Sequence, residues 1–124
     1  MGPLQTSVGS SSAVAVAGTA ALFALFLSVT AHIAARNVLG DVPIRNAFVV
    51  GPLPAAIAVV TAALDLPAAL GIGVAIVVDA LLIRQLYDLD RRLTVGVTLI
   101  HAVVSVILGS VLFSLYVLVR SAPG

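Results

Sequence analysis

The sequence predicts an all-α integral membrane protein, a bundle of four transmembrane helices joined by short loops. Three observations carry that expectation. Apolar residues make up 61% of the 124-residue chain and charged ones only 9%, with a mean hydropathy of +1.25. Soluble domains run near a quarter charged. The apolar residues fall into four runs broken by short polar stretches, each close to the roughly 20 residues that a helix needs to cross a bilayer. Four such runs use up the length and leave no room for a separate soluble domain.

Residues 1–12 are rich in Gly and Ser and carry no charged side chain, so they read as a loose N-terminal tail. The first span is expected over 13–35. It lacks a basic n-region, is too long for a signal h-region, and is followed by Arg36 rather than a cleavage motif, so it reads as retained. Arg36 to Pro43 reads as a loop closed by Asp41-Val42-Pro43, a helix start in which aspartate caps free amides and proline occupies the first turn.

The second span, 44–64, contains Gly51-Pro52-Leu53-Pro54 and should bend there. Each proline strips a carbonyl four residues earlier of its partner, Phe48 for Pro52 and Val50 for Pro54. Asp65-Leu66-Pro67 repeats the Asp-X-Pro start and opens the third span, 67–87. Spans two and three are then a tight antiparallel hairpin. Asp90 precedes the fourth span, 93–119, which is long enough to tilt or fray. Residues 120–124 form a short C-terminal tail, and 13–119 is a single transmembrane domain.

Orientation follows from the arginines. Arg36, Arg45, Arg84, Arg91 and Arg92 flank the loops after spans one and three, while Arg120 alone lies on the opposite side. The positive-inside rule places loops 36–43 and 88–92 in the cytoplasm and both termini outside. The expected setting is a multi-pass protein of the cell membrane, its main partner the lipid bilayer. So small a bundle suits a homo-oligomer or a larger membrane-protein partner. A net charge of +1 offers no basic face for nucleic acid. The absence of cysteine removes disulfides, thiol catalysis and cysteine metal sites. No Gly-x-Ser-x-Gly setting surrounds Ser28, Ser105, Ser110 or Ser114. Neither an enzyme nor a cofactor is expected.

Sorting the acids isolates Asp79. Asp41, Asp65 and Asp90 stand at helix starts, where the dipole favours an anion. Asp88 is four residues from Arg84 and reads as its ion-pair partner at the interface. Asp79 has no such local role, and an aspartate at a span centre costs about 2.5–3.5 kcal/mol, so it needs a buried partner. His101 is that partner: each lies about eight residues, or roughly 12 Å, from the arginine-bearing end of its helix. Arg84 is a poorer choice, about 140° around the same helix, and its long side chain can snorkel to the interface.

Small and hydroxyl residues mark the facing stripes: Thr94, Thr98, His101, Ser105 and Gly109 on one span, Ala68, Gly71, Ala75 and Asp79 on another. On the first span Gly18, Ala21, Ser28 and His32 share a face. Such stripes are what close-packed membrane helices place at interfaces. The expected centre is therefore Asp79 with His101, with His32 and the bend at Gly51, Pro52 and Pro54 around it.

Two functions suit that cluster. In the first the pair is a hydrogen-bonded brace within a structural or accessory membrane component, worth about 0.6–2 kcal/mol. In the second it is the proton or cation site of a small coupled transporter or channel, since histidine titrates near neutrality and broken helices accompany intramembrane acids at transporter ion sites. Packing explains most of the polar pattern, so the first reading leads. Two histidines and a carboxylate can bind zinc, but no tight ligand motif joins His32, His101 and Asp79, and no metal is expected.

Four spans in so short a chain resemble the small multidrug resistance transporters in size and layout. Those carry their essential glutamate in the first span, whereas this chain has no glutamate and its buried acid is in the third. The dual-topology fluoride channels are similar in size, but their motifs are missing here and the arginine bias is one-sided. The stretches Thr30-Ala-His-Ile-Ala-Ala-Arg-Asn-Val-Leu-Gly-Asp-Val-Pro, Gly51-Pro-Leu-Pro and Val78-Asp-Ala-Leu-Leu-Ile-Arg resemble a family of small, uncharacterised four-span haloarchaeal membrane proteins. That resemblance covers most of the chain and implies no activity, ligand or site.

Overall fold

A computed structural model describes residues 2–123, with side chains from residue 12 onward. It contains five helices: α1 (Gly2–Leu39), α2 (Ile44–Val50), α3 (Pro52–Ala63), α4 (Ala68–Leu86) and α5 (Arg91–Ser121). Among the described residues there is no strand. Four stretches are long and apolar enough to cross a membrane: Ser12–Leu39, Ile44–Ala63, Ala68–Leu86 and Arg91–Ser121. The second of these is α2 and α3 taken together, interrupted at Gly51. The expected tail at residues 1–12 falls mostly on residues whose side chains lie outside the described set.

Helices α1, α3 and α4 each end at a residue that turns left-handed. Gly40 (φ 88°) closes α1, its N–H donating to the Arg36 carbonyl at 3.0 Å. Arg36 therefore belongs to the last turn of α1, where its charge suits the helix dipole, and not to the expected loop. Asp65 (φ 55°) closes α3: Leu66 N–H donates to Thr61 O at 3.0 Å and Asp65 N–H to Ala62 O at 3.2 Å. That pair of bonds is a Schellman ending, with aspartate in place of the usual glycine. Asp88 (φ 51°) closes α4 with Leu89 N–H donating to Arg84 O at 3.0 Å.

These endings correct the reading of the aspartates as helix starts. The residues preceding α2 and α4 are Pro43 and Pro67, without a side-chain cap. Asp41 and Asp65 lie too far upstream to cap, and Asp65 serves the preceding helix instead. Asp88 is likewise a turn residue; Asp79 with His101 is the one ion pair among the described residues, so Arg84 and Asp88 do not form one. Asp90 does cap α5, its Oδ1 accepting from Leu93 N–H at 2.8 Å. The cap brings Arg91 and Arg92 into the first turn of α5, outside the 87–90 turn.

Packing is concentrated at the arginine-bearing end. The core there is Ala31, Ala34 and Ala35 of α1, Ala47 and Val50 of α2, Ile83 of α4 and Val97 of α5. Alanines let helix backbones approach closely, the usual basis of helix association in lipid. Asn46 adds a tie from α2 to the end of α4, donating to the Leu86 carbonyl at 3.4 Å. At Gly51 the interrupted helix presses against α1, and a Cβ there would lie 2.6 Å from Ser28 Cα. Towards the other end Val111, Leu112, Phe113, Leu115 and Val119 of α5 are exposed.

Candidate polar site and cavity

The structure brings Asp79 and His101 together. His101 Nδ1 lies 2.6 Å from Asp79 Oδ2, and both residues are buried, at 3% and 6% exposure. The other ring nitrogen, Nε2, lies 3.1 Å from the Leu27 carbonyl and 3.0 Å from Thr30 Oγ1. Thr30 is fully buried, donates to Leu27 O at 3.1 Å, and accepts from the Ser105 hydroxyl at 2.8 Å. One histidine on α5 thus ties α4 to α1.

A carbonyl only accepts, so a bond from His101 to the Leu27 oxygen needs Nε2–H, whereas the Thr30 hydroxyl can accept from Nε2–H or donate to a bare Nε2. The Nδ1···Oδ2 contact then holds a single proton, on one atom or the other. With Nε2–H the pair is neutral overall, whether written as imidazolium with carboxylate or as imidazole with carboxylic acid. Charge separation buried at that depth is tolerable only when compensated and hydrogen-bonded.

Other predicted residues stand apart from the pair. His32 is half-buried, its buried Nδ1 has no hydrogen-bond partner among the described residues, and it makes no hydrogen bond to Asp79 or His101. Among the described residues no three His or Asp side chains converge as metal ligands. Pro52 is exposed, whereas Pro54 is buried beside the pair's cavity. Arg36, Arg45, Arg84, Arg91 and Arg92 are all exposed.

The α1 face was only partly legible. Gly18 and Ala21 are exposed, and Ser28 faces Gly51 while its hydroxyl donates to Ala24 O at 2.8 Å. The residues that reach His101 are Leu27 and Thr30. The missed signal was Thr30 itself, a hydroxyl at the depth of the pair, two residues from both Ser28 and His32 and so off the stripe of small residues.

The small-residue stripes of α4 and α5 do not close on each other. They line a cavity of about 610 Å³, with Gly71, Ala75 and Asp79 on one side and Thr98, His101 and Gly109 on the other. Phe23, Phe26 and Leu27 of α1 and Pro54, Ala58 and Thr61 of α3 complete it. A Cβ at Gly109 would lie 3.7 Å from the Phe26 ring, which spans the gap that the glycine leaves. Two buried oxygens in this wall, Asp79 Oδ1 and Thr98 Oγ1, have no hydrogen-bond partner among the described residues.

Residues 10–123 match the model of a family of unknown function, DUF7473, and the chain belongs to that family. Comparison with curated proteins and with solved structures gives no match.

Proposed function

Starting from a family whose description carries no activity, we propose that the protein is a structural or accessory component of the cell membrane. In this reading the Asp79–His101–Thr30–Ser105 chain is an interhelical brace. One observation carries it: His101 spends both ring nitrogens on other helices of its own chain, Asp79 on α4 and Leu27 with Thr30 on α1. A side chain so committed has no free donor for a substrate. The one-sided arginines support loops 40–43 and 87–90 in the cytoplasm and both termini outside. The apolar outer surface of so small a bundle suits self-association or a larger membrane partner. No turnover is assigned.

The second reading, a small proton- or cation-coupled transporter or channel using Asp79 and His101, draws on the unpartnered Asp79 Oδ1 beside the cavity. Proton and cation flux in proteoliposomes, natural sequence against Asp79→Asn, separates the two. Asparagine can donate from its amide to Nδ1 of a neutral imidazole and leave Nε2–H on Leu27, so the brace survives. The accessory reading expects folded protein and no flux in either sample. Flux in the natural protein that vanishes in folded Asp79→Asn would replace it with the transport reading.

A further inference from the structure

We propose that the cavity between α1, α3, α4 and α5 is a binding site for a neutral lipophilic alcohol, its hydroxyl held by Asp79 and Thr98. The inference rests on the cavity and its polar wall and does not depend on the brace reading.

The cavity's volume of about 610 Å³ falls within the roughly 300–1,000 Å³ of ordinary ligand sites, which are mostly apolar with a few convergent polar groups. The wall has that make-up. Gly71, Ala75, Ala102 and Gly109 supply space, Phe26 and Ile72 supply apolar surface, and Asp79, Thr98 and His101 supply polar groups, with Thr61 apart from them beside Gly71.

Two of those polar groups are incomplete. Asp79 is 94% buried and Thr98 91% buried, from exposures of 6% and 9%. Each keeps one oxygen with no partner among the described residues, and such buried oxygens are uncommon and costly. Their needs are complementary. Asp79 Oδ1 is the acceptor left over when Oδ2 is used by His101, and the Thr98 hydroxyl can donate. A single ligand hydroxyl answers both, donating to Oδ1 and accepting from Thr98.

Charge selects among head groups. With Nε2–H donating to Leu27 the Asp79–His101 pair is neutral as a unit, so an ammonium head would bring an uncompensated positive charge into a low-dielectric site. A carboxylate head would face the Asp79 carboxyl oxygen. A hydroxyl adds no charge. The body that fits the remaining wall is a hydrocarbon chain, straight or isoprenoid.

The test uses the full chain in phosphatidylcholine nanodiscs and a diazirine-bearing dodecanol as photolabel, with labelled residues mapped by mass spectrometry. Labelling should saturate and fall on α4 and α5 around Ala75 and Ala102. Unlabelled 1-dodecanol should compete at concentrations at least about tenfold below those of dodecane or dodecylamine, the ratio one buried hydrogen bond provides. Farnesol in place of 1-dodecanol distinguishes an isoprenoid from a straight-chain body. Thr98→Val should reduce labelling by about the same factor, while Thr98→Ser retains it. Equal competition by dodecane would make the cavity an acyl-chain slot and overturn the proposal, as would a preference for dodecylamine. The competition is read on the natural protein, so its outcome decides the matter even if a variant misfolds.

Discussion

Replacing Gly51 with alanine should destabilise the bundle, although alanine is the better helix former. The added Cβ would lie 2.6 Å from Ser28 Cα, where ordinary contact begins near 3.4 Å. Ser28 meets it with backbone, its N closer still than its Cα, which no rotamer can move, so α1 and the Gly51 segment must part by at least about 0.8 Å. The alanine core lies beside that crossing and would be loosened by the same movement. Overpacking of this kind costs about 1–3 kcal/mol.

Gly73 is the internal control. It is also helical, exposed, and a Cβ there meets nothing within 4 Å. Alanine gains up to about 1 kcal/mol of helix propensity at either site, so the difference between the two variants isolates the clash at roughly 1–3 kcal/mol. Reversible unfolding in bicelles by added dodecyl sulfate, followed by far-UV circular dichroism, measures both. Equal stabilities for Gly51→Ala and Gly73→Ala would refute the close crossing of α1 on the interrupted helix.

The remaining predictions concern the brace, the turns and the second glycine contact. His101→Ala leaves Asp79 buried without its partner and should cost on the order of 3 kcal/mol in the same unfolding assay. Thr30→Val keeps the Leu27 bond to Nε2 and should cost about 1 kcal/mol. Asp90→Ala removes a cap and should cost about 0.5–2 kcal/mol, whereas Asp41→Ala should stay within about 0.5 kcal/mol; equal losses would restore Asp41 as a cap. Asp88→Gly should stabilise by up to about 1 kcal/mol, because glycine adopts the left-handed turn without strain. Gly71→Ala meets a side chain, Thr61, at 2.6 Å from Oγ1, so its cost should largely disappear in the double variant with Thr61→Ala.

The helices and the Asp79–His101 pairing could be read from the chain because both rest on one-dimensional quantities. Apolar run length gives the spans, and counting residues from a shared end gives depth. What remained hidden depends on how helices rotate and how far apart they stand. Thr30 lies outside the small-residue face of α1, and only the rotation that buries Ala31, Ala34 and Ala35 brings it to His101. Asp65 and Asp88 read as helix-start or ion-pair residues because aspartate serves turns, caps and pairs alike; their left-handed backbone is a tertiary outcome. The stripes on α4 and α5 carried the deeper ambiguity. Small residues signify either contact or space, and long neighbours such as Phe26, which prop the helices apart, decide between them.

The alanine core also fixes how the two faces of the polar site can communicate with their surroundings. A methyl group has no rotamers, so the contacts of Ala31, Ala34, Ala35 and Ala47 cannot open by the turning of a side chain. On the arginine side the alanine contacts yield only if the helices move, and Val50, Ile83 and Val97 are the rotatable members of that core. On the other side the cavity is bordered by Phe23, Phe26, Leu66 and Ile72, each of which can swing about its own χ angles. The two ends of the polar site therefore differ in side-chain freedom, with small, rotamer-poor residues prominent on the arginine side and long, rotatable ones around the cavity.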